Sequence, residues 1–531
     1  MASTPPRRAA LLNTVIVAAG YFLSRVLGII RDIIISARFG TSDTMDAYQA
    51  AFNIPDLLYL VIMGGALGSA FIPVFSGFLS DQQRDAAWKL ANGVLNIALI
   101  AMIVVAALVA WQANRLVGLI YGTWTPDKQA LTVSMLRLLL IQPVLLGVGG
   151  LAKATLESFD RFALPALGSN LYNLGIIGGA LLIAPWLGVF GLIWGVIIGA
   201  VLFVAVQLPG LWQVGFRYAP VFSLRTPGLL RIGWLMAPRV FGQSVWQVGL
   251  IFSAGIVAAV GISGAVRANV VALQLMLLPH GLIALSLGTV IFPQLSRAHA
   301  AGDTAGFRQV MLGALRTVVF LALPAAIILF VLPEQVIRVL FERGKFDAAS
   351  TALTAEALRS YALGLVAFAA AEIVVRAFYA MQDTLTPVLV GVATVALNIA
   401  LATLFVRQGA GLGGVALAFS IAATVETLLL LLVLWRRWRT FDALWAALAR
   451  MALAALAFGV ALAGALALSA SWLPWLRAGD MYRWPGDFLL LAAWLTVTCA
   501  FAGSIYAGVA LLLRLPEAAT LLERLRRARR W

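Results

Sequence analysis

Apolar segments of about 20 residues follow one another along almost the whole chain, separated by short polar loops. Because a helix of about 20 apolar residues crosses a hydrocarbon layer of about 30 Å, each segment has the length of a membrane span. The segments are continuously apolar rather than alternating, which excludes an outer-membrane β-barrel. Only 11% of the 531 residues are charged, against about 25% in a soluble globular protein. The sequence therefore predicts an all-α polytopic membrane protein and excludes an ordinary soluble enzyme.

The lengths of these segments predict about fourteen transmembrane helices. Their expected positions are 11–36, 47–78, 88–112, 131–156, 163–184, 188–213, 229–258, 266–296, 308–332, 352–380, 386–406, 410–434, 445–470 and 487–513. The first segment follows Arg7 and Arg8, as the apolar region of a secretory signal would. Because amphipathic sequence continues beyond it without a small-residue cleavage site, we expect a retained helix.

The positive net charge of +16 is concentrated beside the predicted ends of spans. The arginines concerned are Arg7, Arg8, Arg217, Arg225, Arg231, Arg436, Arg437, Arg439, Arg524, Arg526, Arg527, Arg529 and Arg530. Basic residues beside spans mark cytoplasmic loops, so this pattern predicts both termini on the cytoplasmic side of the membrane. It argues against a nucleic-acid partner. The basic tail is expected to lie on the anionic lipids of the inner leaflet.

An internal repeat relates the first six spans to the next six. The segment ALGSAFIPVFS at 66–76 is similar to SLGTVIFPQLS at 286–296, and ALTVSMLR at 130–137 is similar to ALTAEALR at 352–359. Six spans per repeat give both halves the same orientation, which is typical of transporters with a substrate site between two lobes. We predict an N-lobe over 1–222, a C-lobe over 223–440, two extra helices over 441–515 and a cytoplasmic tail over 516–531.

The residues needed for covalent or metal chemistry are sparse. The chain has two histidines and a single cysteine, Cys499, which lies in an apolar segment. No metal-ligand spacing and no phosphate-binding glycine loop is present, so the sequence predicts a transporter that is not an enzyme, with no cofactor and no metal.

Charged residues inside the predicted spans are the most informative signal for function, since they are costly in hydrocarbon. The first span contains Arg25, Arg31 and Asp32. One carboxylate and two arginines leave a net positive charge for an anionic ligand, although Asp32 could instead serve only to neutralise an arginine. Asp46 and Asp56 flank the start of the second span, and Asp46 could simply stabilise a helix N-terminus.

Two pairs of opposite charge lie four residues apart within spans, Lys153–Glu157 and Glu372–Arg376. At this spacing each pair can neutralise itself on one helix face. We interpret them either as structural pairs or as gating residues that line the cavity. Arg239 follows Pro238, where a broken helix would expose backbone to a cavity.

Seven further motifs occur in order along the chain: SRVLGIIRD at 24–32, MDAY at 45–48, AFNIPDLL at 51–58, RFALP at 161–165, LGTVIFPQLS at 287–296, LFERGKF at 340–346 and AFYAMQDTLTP at 377–387. These motifs resemble those of the MurJ lipid II flippase family. Their order and spacing match over most of the chain. The resemblance implies the multidrug/oligosaccharidyl-lipid/polysaccharide exporter (MOP) fold, with two six-helix lobes around a cavity and two extra helices that form a groove for the lipid tail.

The resemblance also implies roles for individual residues. Arg25 and Arg31 match arginines thought to engage the diphosphate and headgroup of the lipid, and Asp46 matches an acidic cavity residue. This chain departs from the family at four cavity positions, where it has uncharged residues: Tyr59, Leu273, Gln274 and Leu277. We expect Tyr59 and Gln274 to contribute hydrogen bonds without charge, which shifts the anion site toward the N-lobe.

The predicted function is the transfer of a polyprenyl-diphosphate-linked peptidoglycan precursor, lipid II, from the inner to the outer leaflet by alternating access. The alternatives are transfer of another polyprenyl-linked oligosaccharide, antiport of drugs or cations, and a non-transporting scaffold for cell-wall synthesis. Expected partners are the lipid-linked substrate, membrane lipids and cell-wall synthesis enzymes.

Overall fold

A computed structural model describes residues 7–62, 66–438, 442–470, 472–473, 486–520 and 523. It divides into two compact units, Met1–Ala258 and Ala259–Trp531. The helices of the first unit are α1 (Arg7–Phe39), α2 (Asp43–Ile62), α3 (Ala66–Ser80), α4 (Arg84–Ile120), α5 (Pro126–Leu139), α6 (Ile141–Glu157), α7 (Ala163–Gly178), α8 (Ala184–Leu187), α9 (Val189–Ala205), α10 (Leu208–Gln213) and α11 (Leu229–Ala258).

The second unit is likewise helical in its described residues. Its helices are α12 (Ala265–His280), α13 (Ser286–Ala300), α14 (Thr304–Val331), α15 (Pro333–Leu340), α16 (Ala348–Ala380), α17 (Leu385–Arg407), α18 (Gly411–Trp438), α19 (Asp442–Ala470) and α20 (Gly486–Leu512). One π-helical turn interrupts a long helix in each unit, at Gly179–Ile183 and at Gly281–Leu285. Such turns are usually single insertions within α-helices.

Twelve helices in the described residues are long and apolar enough to cross a membrane. They coincide with the third to the fourteenth predicted spans, so the all-α polytopic fold is confirmed. The first two predicted spans form α1 and the pair α2 and α3, but neither is among these twelve. The count of fourteen therefore stays a prediction for these two segments.

Side-chain caps explain where several helices begin. The Thr125 hydroxyl accepts a hydrogen bond from the backbone of Lys128 at the start of α5, where Pro126 takes the first helical position. Asp303 and Asp347 cap α14 and α16 in the same way. Such caps satisfy backbone N–H groups that lack a partner within the helix. The break expected from the sequence at Pro238 is not present, since α11 continues from Leu229 to Ala258.

The first unit has an aromatic core formed by α2, α3, α4, α6 and α11. Phe71 and Phe75 are fully buried there and stack with ring centroids 4.9 Å apart. The non-helical segment after α10 is fixed to α4 by two buried asparagines, since Asn92 donates to the carbonyl of Arg217 and Asn96 to that of Ala219. These bonds satisfy backbone carbonyls that have no helical partner.

The described residues of the second unit include two apolar cores. One joins α13, α14, α16 and α18 and includes Phe307 and Phe378. The other joins α14 with α19 and α20 through Phe320, Phe458 and Tyr506. The two helices outside the repeat therefore pack directly on a helix of the repeated part.

Backbone geometry agrees with the repeat at one position. Asp160 and Gln382 lie 222 residues apart and both adopt a positive φ, 59° and 62°. Each lies in the loop that follows a long helix of its own unit, α6 or α16. The repeat assigns α11 to the second lobe, whereas α11 packs against α2 and α3 in the first unit. The four-part division by sequence stays a prediction.

Candidate functional site

Arg31 lies at the centre of a polar network that joins α1 to α7. Its guanidinium donates to both carboxylate oxygens of Asp32 at 3.2 Å and to the side-chain oxygen of Asn173 at 3.1 Å. The Asn173 amide in turn donates to the backbone and hydroxyl oxygens of Ser24 and to the carbonyl of Ser169. Bonds between charged groups and oxygens are among the strongest in proteins. The network therefore holds one cation of α1 in a fixed orientation.

Arg25 has a different environment from Arg31. Its side chain is exposed, and Asp32 forms its ion pair with the neighbouring Arg31. Arg25 lies six residues, or about 9 Å, before Arg31 along the helix. Because Asp32 balances Arg31, Arg25 supplies the surplus positive charge that the sequence predicts for this helix.

A second polar group adjoins Arg31 on the same unit. Asp56 of α2 is exposed, although it lies about 20 Å along α2 from its start at Asp43. Its carboxylate interacts with the Gln142 side chain of α6 and with the charge of Arg31. Gln142 is buried and donates to the Tyr172 hydroxyl at 3.1 Å. The sequence singled out Asp56 as a flanking residue, but it gave no indication of Gln142 and Tyr172.

Tyr59, which the sequence placed at the substrate site, lies one turn after Asp56 on α2. It lies near Tyr172, and its ring packs beside the aromatic core of the first unit. The structure therefore places Tyr59 close to the network of Asp56 and Arg31. Its role in substrate binding stays a prediction.

Asp46 lies in the first turn of α2, the helix that also carries Asp56. Only 1% of its side chain is exposed, and it accepts a hydrogen bond of 2.9 Å from Lys128 of α5. Lys128 also donates to Asp43 at 2.6 Å and lies 4.2 Å from the centre of the Trp124 ring. Asp46 thus forms a buried ion pair between two helices in addition to favouring a helix N-terminus. Lys128 was not predicted from the sequence.

Both pairs of opposite charge within spans are formed. Lys153 and Glu157 lie 3.9 Å apart in α6, and Arg376 and Glu372 lie 2.7 Å apart in α16. A Cβ atom at Gly288 would collide with the Arg376 guanidinium. These contacts agree with neutralisation along one helix, and a gating role stays a prediction.

The two remaining predicted site residues lie elsewhere. Gln274 is half-buried in α12 of the second unit. Arg239 lies within α11, but its side chain is outside the part of the chain that the structure describes. Among the described residues, no group of three or more His, Cys, Asp or Glu side chains could hold a metal ion.

The first unit thus presents two arginines, a paired carboxylate, an exposed carboxylate and several neutral donors. Such a set can bind an anion by charge and hydrogen bonds, and it contains no nucleophile held beside a general base.

Comparison with known proteins identifies the chain's relatives. The sequence model of the family "Lipid II flippase MurJ" matches residues 35–509. A protein named lipid II flippase MurJ from Burkholderia cenocepacia is 34% identical over 436 residues, which are 80% of this chain and 84% of that protein. A probable lipid II flippase MurJ from Vibrio cholerae is 30% identical over 480 residues, covering 88% of this chain and 91% of that protein.

Solved structures agree on the fold. A lipid II flippase MurJ in an inward closed conformation matches with a TM-score of 0.75 at 23% identity, covering 94% of this chain and all of that one. An inward-facing MATE family transporter of the MOP superfamily matches with a TM-score of 0.66 at 15% identity, over 78% of this chain and 94% of that one. With a family match over most of its length, the chain belongs to the lipid II flippase MurJ family.

Proposed function

We propose that this protein moves lipid II from the inner to the outer leaflet of the bacterial inner membrane. Membership of the family is the observation that carries the proposal. The arginines of α1 support it, because lipid II bears a diphosphate and Arg25 and Arg31 are cations within an apolar chain. Transfer between leaflets makes or breaks no covalent bond.

Arg25 and Arg31 have different parts in this proposal. Arg25 is exposed and attracts the diphosphate by charge. Arg31 is oriented by Asp32 and Asn173, so it presents a fixed donor rather than a mobile one. A donor already held in place loses less conformational entropy when a ligand binds.

In this proposal the anion site is centred in the first unit, because Tyr59 and Gln274 carry no charge. A neutral donor forms weaker hydrogen bonds to an anion than a charged one. Tyr59 adjoins the Arg31 network through Tyr172. In this proposal Gln274 contributes to the sugar or peptide headgroup rather than to the diphosphate.

Topology and partners complete the proposal. The exposed Arg217, Arg225 and Arg231 precede or begin α11, and their position supports cytoplasmic termini by the positive-inside pattern. α19 and α20 guide the isoprenoid tail, since they lie outside the repeat. Cell-wall synthesis enzymes are the expected partners.

Complementation tests the function in cells. Bacteria depleted of their own lipid II flippase should grow when they express this protein, but not when they express Arg31→Ala at the same level. A scaffold without transport would tolerate the alanine. Failure of the wild type despite normal expression would favour another polyprenyl-linked glycan, and this result would overturn the proposal.

A further inference from the structure

The carboxyl group of Asp56 belongs to the first unit's polar network and lies in a segment that the sequence predicts to cross the membrane. It lies about 20 Å along α2 from the start of this helix and is exposed. Its position therefore leaves the carboxyl group accessible within a predicted span. An ionised carboxylate at such a depth is costly unless a cation balances it.

Without Asp56, the charged side chains of α1 near it sum to +1. Arg31 forms an ion pair with Asp32 at 3.2 Å, and Arg25 is the surplus cation of α1. With Asp56 ionised, the net charge of the two arginines, Asp32 and Asp56 is zero. With Asp56 protonated, their net charge is +1. A diphosphate therefore meets a net positive site only in the protonated state.

Gln142 can serve either protonation state of Asp56. Its amide donates to the Tyr172 hydroxyl at 3.1 Å and interacts with the Asp56 carboxylate. Its side-chain oxygen is buried and has no hydrogen-bond partner in the described residues. Rotation of the amide by half a turn would let this oxygen accept a hydrogen bond from the protonated carboxyl group of Asp56. The rotation is possible because the two ends of a glutamine amide have nearly the same shape. The unpaired acceptor thus gives the protonated acid a partner.

Several charged groups on the elements that pack against α2 are engaged with other partners, whereas α4 also carries Arg84, Asp85, Lys89 and Arg115 and α11 carries Arg231 and Arg239. At the start of α2, Lys128 of α5 pairs with Asp46. On α6, Lys153 pairs with Glu157, and Arg137 of α5 donates to the carbonyl of Ala110. Arg31 is the cation with a direct electrostatic effect on Asp56. Protonation of Asp56 is therefore the change that alters the charge of the network.

We propose that Asp56 is a proton-binding site whose protonation is coupled to binding of the diphosphate anion. The inference rests on the proposed function, because it takes the α1 arginines as the anion site. Linkage is reciprocal, so if the ligand binds the protonated site more tightly, the protein takes up a proton when the ligand binds. One coupled proton strengthens binding by at most about tenfold for each unit by which pH falls.

Calorimetry of lipid II binding in two buffers that differ in ionisation enthalpy measures this uptake directly. Wild-type protein in nanodiscs should take up to one proton per bound lipid II, and its Kd should fall as pH falls. Asp56→Asn should take up none and should bind with the wild type's low-pH affinity at every pH. Asp85→Asn, an exposed acid in the first turn of α4, is the control and should behave as wild type. The same proton uptake and pH dependence in Asp56→Asn would overturn the inference.

A ligand-free measurement separates this inference from the proposed function. Infrared difference spectra between about pH 8 and about pH 5 should contain a carboxylic-acid band that Asp56→Asn lacks. Absence of that band overturns the inference, whether or not lipid II binds. Failure of the wild type to bind lipid II at any pH, with the band present, overturns the proposed function alone. If Asp56→Asn does not fold, Asp56→Glu should keep the carboxylic-acid band and shift the pH midpoint of its titration. An unchanged pH midpoint would contradict the assignment of the band to this residue.

Discussion

At the scale of single residues, the site depends on how one helix divides its charges. Asp32 binds its neighbour Arg31, whereas Arg25 and Asp32, seven residues apart, share a helix face. Asn173 takes the remaining terminal nitrogen of Arg31 and connects it to Ser24. A buried amide that bridges two helices in this way contributes to both the stability and the orientation of the arginine.

Asn173→Leu should therefore destabilise the protein and weaken lipid II binding. It leaves the half-buried Arg31 guanidinium without one acceptor and the oxygens of Ser24 and Ser169 without a donor, which costs about 2 kcal/mol. Asn170→Leu is a matched control, because Asn170 lies one turn away on α7, is 6% exposed against 7% for Asn173, and has an unpaired side-chain oxygen. Thermal unfolding should show a loss for Asn173→Leu and little change for Asn170→Leu. Equal losses would contradict the role assigned to Asn173.

At the scale of helices, ion pairs connect elements that the hydropathy pattern leaves independent. Lys128 joins α5 to α2, and Arg316 joins α14 to Glu517 after α20 at 2.7 Å. Arg437 at the end of α18 binds Asp383 in the loop between α16 and α17 at 2.7 Å. The contribution of each ion pair to stability depends on how deeply its two side chains are buried.

Lys128→Met should destabilise the first unit by about 3 kcal/mol, because it leaves the buried Asp46 carboxylate without its cation. Asp43→Asn removes the other contact of Lys128, but the Asp43 side chain is 62% exposed, so the loss should stay below about 1 kcal/mol. Melting temperatures of both variants in detergent measure the difference. A larger loss for Asp43→Asn than for Lys128→Met would contradict this account.

The Asp383 pair should make a small, pH-dependent contribution to stability. Burial alone would raise the pKa of Asp383, but hydrogen bonds from Thr386 and Arg437 outweigh it and hold the pKa below its usual value. A depressed pKa gives stability that is present above the unfolded pKa of about 3.9 and is lost as pH falls through the folded pKa. Since Arg437 is 43% exposed, the effect should stay below about 1 kcal/mol.

Comparison of wild type with Asp383→Asn over a range of pH tests this contribution. The wild type should melt at a higher temperature at neutral pH, and the two proteins should converge as pH falls below about 4. A difference that grows toward acidic pH would have the wrong sign.

At the scale of the whole molecule, α19 and α20 are less separable than the repeat suggests. The Tyr506 hydroxyl donates to the carbonyl of Phe320 at 2.8 Å, and Phe320 is buried against both helices. Removal of residues 445–531 would also remove Glu517, the partner of Arg316. We expect such a truncation to weaken lipid II binding and also to lower the melting temperature of the remaining protein. A truncated protein with unchanged stability would contradict the packing described here.

Sequence reasoning locates the helices better than it locates the site. Twelve spans could be predicted because the length and apolarity of each are local properties. The partners of Arg31 and Asp46 could not, since Asn173 lies 142 residues from Arg31 and Lys128 lies 82 residues from Asp46. Such pairs depend on how helices pack, and neither hydropathy nor a helical period contains that information. The family resemblance supplied the arginines but not their partners.

Transfer of fluorescent lipid II across liposomes that contain the purified protein tests the central claim most directly. We expect transfer by the wild type and loss of transfer in Arg25→Ala at an unchanged melting temperature, because Arg25 is exposed and supplies charge rather than packing. A folded wild-type protein that transfers no lipid II would contradict the account. Full transfer by Arg25→Ala would contradict the anion site on α1.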